Sequence, residues 1–288
     1  MVSDGSRLLA QRSLGVVMEQ LSGKVVVVTG AASGIGLALV KRFGAEGMKI
    51  VMADIEVPAL EAASASLPAS IERVTVACDV SDGDQIEALR RTAIDAFGAV
   101  HVVCNNAGVG GGGSMADINI ADWKWVIDVD LWSVIHGVRV FLPGLLEQGE
   151  GHIVNTASVA GLFSAPFMGP YNIAKYGVVA LSETLCSELA MQQSPVGVSV
   201  LCPSWVKTKI ASSARNKPGV SSEEVEMISE LAGPMIDAGM SPDLVADAVI
   251  DAVKSKKFWI TTHDDTPAAV TLRTRSIIDG TNPPQLMH

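Results

Sequence analysis

The chain has 288 residues, 48% of them hydrophobic and 18% charged, with a formal net charge of −10. That composition supplies a sizeable core and excludes disorder as the default, while the negative charge sets it against nucleic acid, whose phosphates would repel it. Polar side chains interrupt every long apolar run, which argues against a membrane span, and Cys78, Cys104, Cys186 and Cys202 form no C-x-x-C pair, as suits buried thiols in a reducing cytoplasm.

Residues 1–20 read as a poorly ordered extension, and the apolar stretch 14–18 is too short for a signal-peptide core. From Lys24 onward, short apolar runs fall at 25–29, 49–53, 74–78, 100–105, 152–156, 197–202 and 258–261. They are almost continuously apolar rather than alternating, the pattern of strands covered on both faces of a parallel sheet. Segments of helical period lie between them, among them 34–46, 84–97, 121–147 and 169–192. Strand and helix alternating in this way predict an α/β fold, a doubly wound parallel sheet in a single domain over residues 21–262. The glycine run 110–113 is flanked by the same alternation and reads as a loop at a strand's carboxyl end. Residues 205–240 lose the alternation and predict a lid, with Ile210, Met227, Ile228, Leu231, Met235 and Ile236 as its apolar face. The tail, 263–288, contains Pro267, Pro283 and Pro284 and shows no strong period.

The first strand runs through Thr29-Gly30-Ala31-Ala32-Ser33-Gly34-Ile35-Gly36 straight into a helix. Gly30 permits the tight turn, Gly34 lets backbone approach a pyrophosphate, and Gly36 lets the helix pack on the sheet. The helix start around Ser33 and Ile35 presents amides and a positive dipole end to an anion. No G-K-[ST] follows, which argues against a nucleoside-triphosphate loop. Asp54 closes the second strand, where a carboxylate accepts hydrogen bonds from ribose hydroxyls and repels a 2′-phosphate. Neither the loop nor the residues just after Asp54 supply a balancing Arg or Lys, so the expected cofactor is NAD in preference to NADP.

The G-x-x-x-G-x-G spacing resembles the cofactor loop of the short-chain dehydrogenases/reductases. Further motifs of that family follow in order: Asn105-Asn106-Ala107-Gly108, then Ser158, Tyr171 and Lys175 at its catalytic spacing, then Pro203-Ser204 after the sixth strand. The similarity covers roughly residues 22–261 and implies a Rossmann-like fold. By resemblance, Asp79 and Val80 line the adenine, and Asn106, Ala107 and Gly108 the adenosine ribose. Tyr171 and Lys175 reach the cofactor as well, and Pro203, Val206 and Thr208 approach the nicotinamide. The resemblance also implies a homodimer or homotetramer built on the long helix and the Tyr171 helix, with Trp123, Trp125 and Trp132 as packing or contact residues.

Tyr171 and Lys175 are four residues apart, so a helix places them on one face. A free tyrosine titrates near 10; a lysine ammonium and the positive charge of an oxidised nicotinamide would both favour its phenolate. Tyr171 could then take an alcohol's proton as hydride leaves carbon, with Ser158 positioning the substrate oxygen. Asp130 departs from the family, which carries asparagine there. It keeps the main-chain carbonyl of the family's water relay, while its carboxylate, if ionised near Lys175, would favour the ammonium and oppose the phenolate. Asp130→Asn is therefore expected to retain substantial activity with a shifted acidic limb of the pH–rate profile. His101, His136 and His152 read as packed histidines, and His263 receives no role.

Residues 159–163 and 165–168, Trp205 and the lid are mostly apolar, with Lys207, Lys209 and Arg215 as the nearby cations. This predicts an uncharged small-molecule secondary alcohol or ketone, alicyclic or aromatic. The stretch 151–171 and the tail are similar to bacterial members acting on bulky aryl alcohols. Two alternatives stand beside this reading. A catalytically silent nucleotide-binding protein of the same fold is opposed by the intact Ser158, Tyr171 and Lys175. A sugar-nucleotide epimerase or dehydratase is opposed by the glycine spacing and the length.

Overall fold

The computed structural model describes Met18 and residues 20–284, without some side chains between 222 and 232. The expected N-terminal extension thus lies outside the described residues except for Met18, which is buried in the core, and Gln20. The lid positions Met227, Ile228 and Leu231 also lie outside the described side chains.

Seven strands form one sheet: β1 (Val25–Thr29), β2 (Lys49–Asp54), β3 (Arg73–Ala77), β4 (Val102–Asn105), β5 (His152–Thr156), β6 (Gly197–Cys202) and β7 (Trp259–Thr261). All pairings are parallel, in the order β3-β2-β1-β4-β5-β6-β7. The chain winds outward from β1 to β3, then crosses back to β4, so the sheet reverses direction between β1 and β4. Folds of this topology bind ligands at that reversal, outside the strands' carboxyl ends.

Both faces of the central strands are covered, which is why these strands are almost continuously apolar. Val26 and Val28 pack under α1 (Gly34–Ala45) and α8 (Pro242–Ser255), against Leu39, Phe43, Val249 and Val253. Val25 and Val27 face the other way, toward Leu89 of α3 (Gly83–Phe97) and Phe141 and Leu145 of α5 (Ser133–Gln148). Between these lie α2 (Val57–Ala65), α4 (Ile120–Ile127), α6 (Gly169–Met191) and α7 (Ser222–Asp237).

Two expectations change. Ile120–Gln148 forms one 29-residue helical unit that is long and apolar enough, by composition, to cross a membrane. Its polar interruptions do not remove that signal, but Val126, Val134, Phe141 and Leu145 are buried within the fold. The tail is not aperiodic: Thr266–Asp279 forms α9, with Pro267 in its first turn and Gly280 in a left-handed cap. Ala269 packs on Val159 and Phe163, while Leu272, Ile277 and Ile278 are exposed. The apolar positions of α9 therefore do not trace its buried face, and periodicity misses it.

His152 lies fully buried on β5 with Nε2 2.7 Å from the Ser199 Oγ. The Ser199 hydroxyl donates to the Lys257 carbonyl at 2.7 Å, so the proton between ring and serine belongs to Nε2. Nδ1 is buried without a partner. Burial, helped by the charge of Lys256, pushes His152 down from 6.5 to about 3. A base so depressed stabilises the fold above its unfolded value and loses that contribution as pH falls from 6.5 toward 3. The loss is up to about 5 kcal/mol. Urea unfolding of the wild type is expected to weaken steeply over that window, and His152→Leu to flatten the dependence; parallel curves would remove His152 as the cause.

Candidate active site

The phosphate-side loop is shaped by missing side chains. Gly30 and Gly34 take positive φ, 67° and 53°, and a Cβ on Gly36 would stand 2.0 Å from the Gly30 carbonyl oxygen. Ser33 heads α1 in extended backbone with its side chain uncommitted to capping, and Ile35 follows in the first turn. Asp54 fastens this turn to β2: its Oδ2 accepts from the Ala32 N–H at 2.9 Å and its Oδ1 from the Glu56 N–H at 3.0 Å. Thr29 Oγ1 accepts the N–H groups of Asn106 and Ala107 at 2.9 and 3.0 Å, and the Asn106 amide donates to the Thr29 carbonyl at 2.9 Å. The Asn106 side chain is thus spent on joining β1 to β4. Asp79 Oδ1 accepts from both the backbone and the hydroxyl of Ser81, closing the turn after β3, and Val80 is buried beside it.

The lid crosses this groove. Its base is fixed by Val206, which is buried and bridged to Met240. Thr208 then lies on the glycine turn, where a Cβ added to Gly34 would meet its methyl at 3.0 Å. In the 3₁₀ turn Ile210–Asn216, Ser213 Oγ accepts from the Gly110 N–H at 2.8 Å. At the far end the Asn216 amide donates to Glu56 Oε1 at 2.8 Å, and Arg215 forms an ion pair with the same carboxylate. Partial burial would raise Glu56, but the bonds to Asn216 and Arg215 overcome it and hold the carboxyl below its usual value. The sequence shows no Arg or Lys in the glycine loop or just after Asp54; the fold brings Arg215 to Glu56 across 159 positions. A half-exposed pair is worth about 1 kcal/mol or less, so Arg215→Ala is expected to speed NADH release about two- to fivefold in stopped flow. An unchanged rate would show that the strap does not hold the cofactor.

The glycine run 110–113 lies, as expected, in the loop after β4, and it is closely packed. A Cβ on Gly111 would strike Val126 at 2.4 Å and one on Gly112 the Phe167 carbonyl at 2.2 Å. Gly113 N–H donates to that carbonyl at 2.7 Å. Phe167 itself has φ 61° and is 69% exposed, an aromatic ring held out at the rim.

Ser158, Tyr171 and Lys175 come together and are all buried. Ser158 Oγ donates to the Pro203 carbonyl at 3.3 Å and accepts from the Ala160 N–H at 3.2 Å, and it lies near enough to Tyr171 to favour the phenolate. The Lys175 ammonium sits 5.3 Å from the Tyr171 ring centre and donates to the Thr156 carbonyl at 3.3 Å. A polar seam fixes α6 to the sheet: Asn105 donates to Asn155 at 2.9 Å, Asn155 to Ser182 at 3.0 Å, and Ser182 to the Val178 carbonyl at 2.7 Å. Gly137 permits it, because a Cβ there would be 2.0 Å from Asn105 Oδ1. Trp125 packs against the cluster holding Tyr171, whereas Trp132 is 47% exposed.

Asp130 joins this group. It lies in a π turn, Asp128–Trp132, between α4 and α5, with no solvent exposure. Such single π turns recur at functional sites. Its Oδ1 accepts from the Val109 N–H at 2.7 Å, and its Oδ2 stands 3.3 Å from Lys175 Nζ. Gly108 arches over the pair, where a Cβ would lie 3.3 Å from Oδ1 and 3.5 Å from Nζ. Burial raises the Asp130 carboxyl, against the pull of Lys175. Burial would lower Lys175, but Asp130 more than compensates and its ammonium is held above the usual value. Tyr171 is raised, chiefly by burial, with Lys175 pulling it down and Asp130 pushing it up. Burial, which spacing does not reveal, outweighs Lys175, so the protein by itself does not lower the phenol.

The groove therefore fits a dinucleotide: backbone without Cβ atoms at the turn, a carboxylate at the end of β2, and a strap over both. The family model for short chain dehydrogenases matches residues 24–219. The 1-deoxy-11-beta-hydroxypentalenate dehydrogenase of Streptomyces arenae is 36% identical over 250 residues, spanning 85% of this chain and 84% of its own length. A short chain dehydrogenase/reductase from Burkholderia phymatum, solved in complex with NAD, superposes with a TM-score of 0.89 at 40% identity, over 94% of this chain and 100% of that one. An alcohol dehydrogenase from Thermococcus sibiricus complexed with 5-hydroxy-NADP gives 0.69 at 27% identity, over 83% and 95%. Motifs, sheet order and these likenesses agree, and the chain belongs to the short-chain dehydrogenase/reductase family of oxidoreductases.

Proposed function

We propose that the protein interconverts an uncharged, apolar secondary alcohol and its ketone, with NAD preferred over NADP. The observation that carries this reading is the buried group of Ser158, Tyr171 and Lys175, placed beside the sheet's reversal point. Residues 30–36 and Asp54 would hold the pyrophosphate and adenosine ribose, and Pro203, Val206 and Thr208 the nicotinamide end. A nicotinamide dinucleotide, when bound, supplies the hydride acceptor or donor.

The chain's own part is proton transfer and orientation. Ser158 Oγ is free to turn its hydroxyl from the Pro203 carbonyl to a substrate oxygen. The Tyr171 oxygen, beside Ser158, then takes the alcohol's proton as the phenolate or, as the phenol, gives one to the ketone oxygen. Lys175 supplies positive charge beside the phenol, and Asp130 holds that ammonium in place. Asp54 supports NAD, since its two oxygens face backbone donors and would repel a 2′-phosphate. The relative whose name specifies an 11-beta-hydroxypentalenate substrate supports a bulky alicyclic alcohol. Phe163, Phe167, Met168, Trp205 and Ile210 are the apolar residues available around it. Exposed Trp132, at the head of α5, and Ile173 of α6 support a homo-oligomer built on these two helices.

The test is dinucleotide reduction followed by absorbance across a panel of secondary alcohols, run with NAD and with NADP. Turnover with a higher kcat/KM for NAD is expected. Equal efficiency with the two would overturn the NAD preference, and tight dinucleotide binding with no turnover of any alcohol would favour the silent binding protein instead.

A further inference from the structure

We propose that His263, just beyond β7, is a positioning residue that fixes the nicotinamide-side loop at Ser204 and Trp205. The inference rests on the reading that residues 203–208 hold the nicotinamide end of the cofactor.

The ring of His263 is fully engaged. Its Nδ1 lies 3.3 Å from the Ser204 backbone nitrogen, which donates to it, and 2.8 Å from the Thr262 hydroxyl. Its Nε2 lies 3.1 Å from the Trp205 carbonyl oxygen. A carbonyl only accepts, so Nε2 carries the proton; Nδ1 is then the bare nitrogen that the Ser204 N–H requires. In this tautomer the two nitrogens grip neighbouring peptide groups from opposite sides of a rigid ring, the Thr262 hydroxyl sharing the Nδ1 lone pair with the Ser204 N–H.

The gripped segment reaches both halves of the site. Pro203, next to Ser204, offers its carbonyl to the Val159 N–H at 3.0 Å and to the Ser158 hydroxyl at 3.3 Å. The Trp205 carbonyl also accepts from the Met240 N–H at 2.9 Å, and Met240 in turn accepts from the Lys207 N–H at 2.9 Å. A Cβ on Gly239 would be 2.6 Å from the Trp205 carbonyl oxygen, so this crossing leaves no room for the loop to shift that way. His263 thus anchors the exit of β6 between the Pro203 carbonyl that touches Ser158 and the start of the lid. β7 delivers it there through its pairing with β6, Cys202 opposite Thr261.

The experiment compares His263→Phe, which fills the space but bonds neither peptide, with His263→Asn, whose side-chain oxygen can replace Nδ1 but not Nε2. Dissociation constants are measured for NADH and for ADP-ribose, which lacks the nicotinamide, together with KM for NAD and for an alcohol turned over by the wild type. Both NADH dissociation constant and NAD KM are expected to rise about tenfold in His263→Phe, equivalent to about 1.4 kcal/mol. A smaller rise, about threefold, is expected in His263→Asn, with ADP-ribose binding within about twofold of wild type in each. Equal weakening of NADH and ADP-ribose, or no weakening of either, would overturn the proposal. If His263→Phe does not fold, the same comparison in His263→Asn decides. Failure of the wild type to bind NADH at all would instead sink the cofactor reading on which the proposal stands.

Discussion

Tyr171→Phe is expected to lower kcat about 10²- to 10⁴-fold while leaving the NADH dissociation constant within about twofold of wild type. The substitution removes one oxygen from a side chain that is 9% exposed, keeps the ring against Val109 and Val126, and leaves the Lys175 ammonium where it is. What is lost is the group beside Ser158 that is placed to take or give a proton at the substrate oxygen. Ser158 cannot replace it, because a serine hydroxyl has no accessible ionised form. Lys175 stands 5.3 Å from the ring centre, paired with Asp130.

The same geometry fixes the direction of the pH dependence. Alcohol oxidation needs the phenolate and ketone reduction the phenol. Burial and Asp130 both raise the Tyr171 hydroxyl, with Lys175 opposing, so oxidation is expected to gain rate as pH rises and reduction to lose it. Stopped-flow turnover and a fluorescence titration of NADH, done on both proteins, check the two halves of the expectation. Undiminished turnover in Tyr171→Phe would mean that the proton leaves by another route and that the constellation is structural.

The parts of the molecule legible in the sequence are those decided by local rules. Val25 to Val28 are apolar in succession because neighbouring side chains face α1 and α8 on one side and α3 and α5 on the other. Gly36 is legible because a tight strand-to-helix turn leaves no room for a Cβ. β3 is displaced by one residue from its expected range, 74–78, since as an edge strand it is only half covered and Cys78 alone looks like core. α9 escapes because its exposed Leu272, Ile277 and Ile278 obscure the small buried face around Ala269. Contacts between residues far apart in the chain are the other missing class. Arg215 meets Glu56 across 159 positions and His263 meets Ser204 across 59, and no spacing rule connects either pair. Asp130 was visible as a departure from the family motif, but the π turn that carries its carboxylate to Lys175 was not.

Lys175→Met is expected to destabilise the fold at neutral pH by about 3–5 kcal/mol, far more than the loss of an exposed lysine. Asp130 has no solvent exposure and a single backbone donor, the Val109 N–H at 2.7 Å, once the ammonium 3.3 Å away is gone. An unpaired buried carboxylate must either stay charged in an apolar surround or take a proton. Burial already raises it with Lys175 present, so without Lys175 the folded state holds that proton more tightly than the unfolded chain does. A carboxyl raised on folding destabilises as pH climbs above its unfolded value of 3.8, and the penalty therefore shrinks as pH falls toward that value. Urea unfolding of wild type and variant at pH 7 and pH 4.5 is expected to show the difference narrowing on acidification. His152 contributes equally to both proteins and cancels. Adding Asp130→Asn to Lys175→Met removes the stranded charge and is expected to restore most of the lost stability at pH 7, without restoring turnover. Asp130→Asn alone leaves Lys175 without its anion but also frees Tyr171 of a neighbouring negative charge. With the ammonium retained, the acidic limb of the oxidation profile is then expected to move to lower pH, because the phenolate forms more readily once the carboxylate is gone. A double variant as unstable as Lys175→Met would show that packing of the lysine stem, rather than the stranded carboxylate, carries the loss.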